Sequence, residues 1–139
     1  MRTFDVQSIE LDVPFPDAFL YLANPATLPE WTHAFRAADD RQATMVTPLG
    51  AVQVGLVVDA SDTHGTIDWT MTFPNGAIAK ASSRLVPHGA KTIYTFVMEA
   101  PPLPLEELEG ALEAQSRILA DELVTLAQRL TRRERLQNA

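Results

Sequence analysis

The sequence predicts an α+β fold in which a curved antiparallel sheet of about six or seven strands packs against one long C-terminal helix. The middle of the chain consists of apolar segments separated by turn sequences too short for parallel crossovers. After "APPLP" at residues 100–104, leucines recur at helical spacing as far as Leu130. The helix must bury this leucine-rich face, most simply against the concave side of the sheet.

The chain opens with an alternating segment at residues 3–13, which predicts a first strand. Ile9 and Leu11 share one face of this strand, and Glu10 lies on the other. The alternation shifts phase at Gln7 and Ser8, which predicts a bulge there.

Two short helices are expected next, in "VPFPDAFLYLANPATLPEW". Pro14 and Pro16 stop the strand, and Asn24 before Pro25 ends the first helix because a residue preceding proline is disfavoured in helical geometry. A second helical turn over residues 26–33 follows.

Six further strands are predicted from the turn signals between them. "TIDWTMTF" shows the clearest alternation, with Trp69 on one face and Asp68 on the other. The predicted strands cover residues 34–38, 43–48, 51–59, 64–73, 77–86 and 91–99.

The last predicted element is one helix from about Leu105 to Leu130, with Gly110 inside it. Because a glycine within a helix costs about 1 kcal/mol, Gly110 suggests a close approach to another element. The chain is thus expected to be a single domain over residues 1–130, followed by a basic, frayed tail at 131–139.

Composition excludes several functional classes. A net charge of −7 argues against nucleic-acid binding, which requires clustered cations. Without cysteines there is no thiolate metal site, and the three histidines lack ligand spacing, so no metal is expected. No phosphate-loop or dinucleotide motif occurs, so no cofactor is implied. With no secretory signal and no apolar run of about 20 residues, we expect a cytoplasmic protein without a membrane span.

The chain resembles the SRPBCC superfamily, the helix-grip fold of START lipid-transfer domains, birch-pollen allergens and polyketide cyclases. The resemblance extends over about residues 3–130 and is carried by "SIELDVPFPDAFLYLANPATLPEW", "SRLVPHGAKTIYTFVME" and "LEGALEAQSRILADELVTLAQRL". It implies a cavity between sheet and long helix, with the two short helices closing one end. Trp31 would then be a wall or gate at the mouth.

The leading hypothesis is therefore the binding or carriage of a hydrophobic molecule (a lipid, an isoprenoid or an aromatic polyketide) in that cavity. A filled core built from the same residues is the alternative. Tyr94 and Gln115 are the polar groups expected inside, where a ligand, a backbone group or a water would be their partner. The proposed ligand-binding residues are Trp31, Trp69, Met71, Phe73, Tyr94, Phe96, Met98, Leu108, Leu112, Gln115 and Leu119.

Two other functions stay open. A cyclase or dehydratase would need a proton-transfer group, and His33, Tyr94 and Asp68 are the weak candidates. A protein-interaction module resembling a co-chaperone would instead have a filled interior and an exposed apolar patch. The sequence leaves a homodimer open.

Overall fold

Seven strands form one curled antiparallel sheet in a computed structural model that describes residues 3–47, 50–100 and 110–137. Its order is β1-β7-β6-β5-β4-β3-β2, so β2 to β7 form a meander and β1 pairs with the last strand. The predicted antiparallel sheet is confirmed. The strands are β1 (Phe4–Leu11), β2 (Phe35–Ala38), β3 (Gln42–Thr47), β4 (Gly50–Ser61), β5 (Thr66–Thr72), β6 (Ile78–His88) and β7 (Lys91–Glu99).

Two short helices connect β1 to β2, as predicted: α1 (Phe15–Ala23) and α2 (Leu28–Trp31). A 3₁₀ turn, Pro25–Thr27, lies between them, and Asn24 is its N-cap residue. The Asn24 side chain accepts a hydrogen bond from the backbone N–H of Ala26, and this fixes the path of the chain towards α2.

The long C-terminal helix, α3 (Ala111–Gln137), has different ends from those predicted. Gly110 has a φ of +81°, which is left-handed geometry, so it precedes the helix rather than lying inside it. The predicted start, including Leu108, lies outside the described residues.

At its other end α3 continues seven residues beyond Leu130, to Gln137. Contacts with α1 explain the extension, because Leu130 is buried and the Arg133 guanidinium lies 4.9 Å above the Tyr21 ring. The Tyr21 hydroxyl in turn donates to the Glu30 carboxylate at 2.7 Å.

The predicted bulge in β1 is wrong, because β1 pairs with β7 in unbroken register from Phe4 to Leu11. Asp5 and Gln7 are polar residues on the inner face, where the sequence pattern suggested a change of phase. They are satisfied by α3: the Ser116 hydroxyl donates to Asp5 at 2.6 Å, and the Gln7 amide donates to the Ser116 carbonyl oxygen at 2.7 Å. This cluster joins the helix to the edge strand.

One core fills the space between the inner face of the sheet and the helices. From α3 it receives Leu119, Leu123, Leu126 and Leu130, each at most 3% exposed. Across the described residues, no helix is long and apolar enough to cross a membrane.

Candidate functional site

A cavity of about 220 Å³, partly open to solvent, lies between the sheet, α2 and α3. Most of its wall is apolar, and it contains eight of the eleven residues that the sequence proposed for ligand binding. These are Trp69, Met71, Phe73, Phe96 and Met98 from the sheet side, Trp31 from α2, and Gln115 and Leu119 from α3.

Small residues opposite large ones create this space. Trp69 of β5 pairs with Ala81 of β6, which pairs in turn with Met98 of β7. Met71 likewise faces Ala79. Alanine on the inner face of β6 therefore leaves a gap between two strands of bulky side chains. The alternation of alanines in "AIAKAS" is a sequence signal for this gap that the sequence analysis did not use.

Aromatic rings fix one wall of the cavity. The rings of Trp69 and Phe96 stack with centroids 5.7 Å apart, and Tyr94 meets Phe96 edge-on at 6.3 Å. Tyr94 itself is fully buried but is not among the residues that line the cavity. Burial raises the pKa of Tyr94 well above its ordinary value, an effect that the nearby Ser83 hydroxyl opposes, so this phenol stays protonated.

Trp31 of α2 and a carboxylate from α3 both line the cavity. Trp31 is only 3% exposed. Two residues later, the backbone N–H of His33 donates to the Glu122 carboxylate at 2.7 Å, which joins the segment after α2 to α3. Glu122 lines the cavity, and burial raises its pKa although the backbone N–H and imidazole of His33 oppose the shift.

The raised pKa of Glu122 predicts a pH-dependent stability. The folded state binds this proton more tightly than the unfolded state, so stability falls as the pH rises from about 4.3, the ordinary glutamate value, through the folded pKa. Glu122→Gln keeps an acceptor for His33 without the buried charge, and we expect it to be more stable than the wild type at pH 7. The advantage should disappear near pH 4, as measured by thermal unfolding across this range.

Glu113→Gln is the matched control, since Glu113 is an exposed residue of the same helix. It should change the unfolding temperature little at pH 7. A Glu122→Gln variant that is less stable than the wild type at pH 7 would mean that the hydrogen bond to His33 outweighs the cost of burying the charge.

Two indole N–H groups of cavity-lining residues have no hydrogen-bond acceptor among the described residues, and both nitrogens are covered by protein atoms. They belong to Trp31 and Trp69, which are 3% and 4% exposed. A buried donor without a partner costs about 1–3 kcal/mol, and an indole nitrogen can only donate. The Tyr94 hydroxyl is a third buried group without a partner at hydrogen-bond distance in this part of the chain, but it lies away from the cavity lining.

The three catalytic candidates do not come together. His33 is exposed, whereas Tyr94 is fully buried. Asp68 alternates with the inward-facing Trp69 and pairs across the sheet with Asp59 and Ser82, so it lies on the outer face.

Two further residues that the sequence proposed for ligand binding, Leu112 and Leu108, are not among the described residues of the lining. Leu112 is buried, at 2% exposed, but does not line the cavity, and Leu108 lies outside the described residues. Glu122, which the sequence analysis missed, does line it. Its signal was present: Glu122 follows Leu119 by three residues and so shares a face with it in a helix.

Solved structures with the same arrangement were found by structural comparison. Zhui aromatase/cyclase from Streptomyces sp. R1128 superposes with a TM-score of 0.70 at 13% identity, covering 94% of each chain. A START superfamily protein from Mycobacterium smegmatis gives 0.62 at 13% identity, covering 93% of this chain and 99% of the other. The di-domain ARO/CYC BexL, from the BE-7585A biosynthetic pathway, gives 0.68 at 16% identity, and this chain spans 46% of its length.

These structural matches identify the fold: the chain has the helix-grip fold that is found in START-like and aromatase/cyclase proteins. The comparison of sequences adds nothing further, since no protein-family model and no curated protein matches this chain. At such low identity the structural likeness concerns the backbone, and function has to be argued from the cavity.

Proposed function

We propose that this protein binds a compact hydrophobic molecule in the cavity between the sheet and α3. The observation that carries the proposal is a mainly apolar space of about 220 Å³, lined by Trp31 and Trp69, next to the hydrophobic core. Empty apolar space in a core costs stability, and a bound apolar molecule recovers that loss by burial.

The size of the cavity narrows the ligand class. An apolar cavity of about 150 Å³ takes one benzene ring, and pockets for drug-sized ligands are about 300–1,000 Å³. A space of 220 Å³ lies between these. Within the broader class of lipids, isoprenoids and aromatic polyketides, we therefore favour a molecule with one or two rings, or a short isoprenoid.

Binding without turnover is the better-supported form of this function. The cyclase alternative draws support from the name of Zhui aromatase/cyclase, but here His33 is exposed after α2, Tyr94 is buried and Asp68 lies on the outer face of β5. An interaction module with a filled interior is not favoured by a hollow core.

A ligand retained during purification is the first test. The protein is purified without detergent or organic solvent and its mass is measured under native conditions and again after extraction. A stoichiometric small molecule with one or two rings, released by extraction, is the expected result. A long-chain lipid bound in stoichiometric amount would contradict the size argument.

Filling the cavity should abolish binding without unfolding the protein. Ala81→Leu places extra carbons between Trp69 and Met98, and we expect the affinity for tetralin, a two-ring hydrocarbon, to fall more than tenfold. Titration calorimetry on the folded variant measures this.

Ser82→Leu is the matched control, because Ser82 is the next residue of β6 and is exposed on the outer face. It should leave tetralin affinity within about twofold of the wild type. Equal losses in both variants would place tetralin somewhere other than this cavity.

A further inference from the structure

The two tryptophans of the chain both line the cavity, and both have an indole N–H without an acceptor among the described residues. The rest of the wall is mainly apolar. A purely hydrocarbon ligand would fill the space but leave both indole N–H groups without an acceptor. A ligand that carries an acceptor can satisfy them, which makes the two indoles a source of specificity as well as of apolar surface.

Two polar side chains of the wall make hydrogen bonds to other partners. The Glu122 carboxylate accepts from the backbone N–H of His33 at 2.7 Å. Thr32, which also lines the cavity, donates its hydroxyl proton to the Leu28 carbonyl oxygen at 2.6 Å. Neither group is at hydrogen-bond distance from an indole nitrogen.

We infer that the ligand is an apolar molecule with a neutral carbonyl-type oxygen, which accepts a hydrogen bond from the indole N–H of Trp31, Trp69 or both. This inference rests on the proposed function of the cavity. Because the indole nitrogens are covered by neighbouring side chains, the ligand reaches them by displacing flexible groups, and Met71 and Met98 of the lining are suited to such movement.

The charge around the cavity favours a neutral oxygen over a carboxylate. The described lining contains two carboxylate side chains, Glu99 and Glu122, and one cation, Lys80. The whole chain carries a net charge of −7. An anionic ligand would enter against this potential, whereas a ketone, quinone or ester oxygen accepts the same hydrogen bond without a charge.

The test compares tetralin with 1-tetralone, which has the same two rings and one added ketone oxygen. For the wild-type protein we expect 1-tetralone to bind roughly tenfold more tightly in titration calorimetry, because a buried donor gains its partner. Trp31→Phe and Trp69→Phe each keep an aromatic ring and remove a donor. In at least one of them the ratio of 1-tetralone affinity to tetralin affinity should fall towards unity, and this ratio is the quantity that tests the inference.

Tyr94→Phe is the matched control for these variants. It removes a buried hydroxyl that also lacks a partner at hydrogen-bond distance in the described chain but does not line the cavity. The preference of this variant for 1-tetralone should equal that of the wild type.

A direct readout is the indole ¹H–¹⁵N spectrum, which contains two resonances because the chain has two tryptophans. Each Trp→Phe variant assigns one of them. Saturating 1-tetralone should move at least one indole proton downfield, as hydrogen bonding does, and tetralin should not. This measurement on the wild-type protein decides the inference even where a variant fails to fold.

The outcomes separate the two proposals. If neither compound binds in the cavity, the proposed function fails. If both bind with equal affinity and neither indole proton moves downfield, the cavity binds hydrophobic molecules but the inference about the carbonyl oxygen is overturned. If tetralin-1-carboxylate binds more tightly than 1-tetralone, the preference for a neutral oxygen is overturned.

Discussion

Leu126→Ala is expected to destabilise the protein by about 2–5 kcal/mol, the range for removing a fully buried leucine. Leu126 lies in α3, is 0% exposed and belongs to the core between helix and sheet. The loss combines the missing apolar burial with a new void next to a core that already contains a cavity. Chemical denaturation at pH 7 measures the change in the free energy of unfolding.

Val124→Ala is its control, two residues away in the same helix. Val124 is 50% exposed, so truncation should change the free energy of unfolding by no more than about 0.5 kcal/mol. Similar small losses for both variants would show that α3 contributes little to the core, and the proposed cavity would then lack one of its walls.

Gly65→Ala is the second substitution with a large expected effect. Gly65 precedes β5 with a φ of +71°, and a Cβ built there would lie closer to the Leu85 carbonyl oxygen than real Cβ atoms approach. Gly65 also accepts the backbone N–H of Leu85 at 2.7 Å. Because alanine is strained in left-handed geometry and the hydrogen bond would be weakened, we expect the free energy of unfolding to fall by about 2–4 kcal/mol. Chemical denaturation measures this change.

Gly76→Ala is the control that introduces backbone strain without a close contact. Gly76 has a similar φ of +87°, but nothing lies within 4 Å of a Cβ added there. The free energy of unfolding of this variant should fall by about 1–2 kcal/mol, which is the cost of alanine in left-handed geometry alone. Equal losses at both glycines would show that the backbone at Leu85 moves aside readily, and that the packing of β5 against β6 is looser than the structure indicates.

The fold could be predicted from the sequence because its signals are local. Alternation in "TIDWTMTF", the turn residues between strands and the leucine spacing after residue 110 each report on a few neighbouring positions. The strand bounds differ from the predictions by only a few residues, for example Thr66–Thr72 against 64–73. The errors occur where local pattern and tertiary contact disagree.

β1 and α3 illustrate such errors. The pattern at Gln7 and Ser8 suggested a change of phase, yet Asp5 and Gln7 both face inward, where Ser116 from the far end of the chain satisfies them. Helix α3 continues past Leu130 because Tyr21, more than 100 positions earlier, receives Arg133 on its ring. Neither contact can be predicted from a pattern among neighbouring residues, because the two partners lie more than 100 positions apart in the sequence.

The sequence by itself determined which side chains face inward, because a strand alternates with period two and a helix repeats every 3.6 residues. Trp69, Met71, Phe96 and Met98 were assigned to one interior on that basis. Only the tertiary structure decided that a partly open cavity lies beside these side chains, that Tyr94 lies outside its lining, and that Glu122 belongs to the lining. The physical reason is that a cavity depends on the register between strands, here Ala81 between Trp69 and Met98, and on where the helix crosses them.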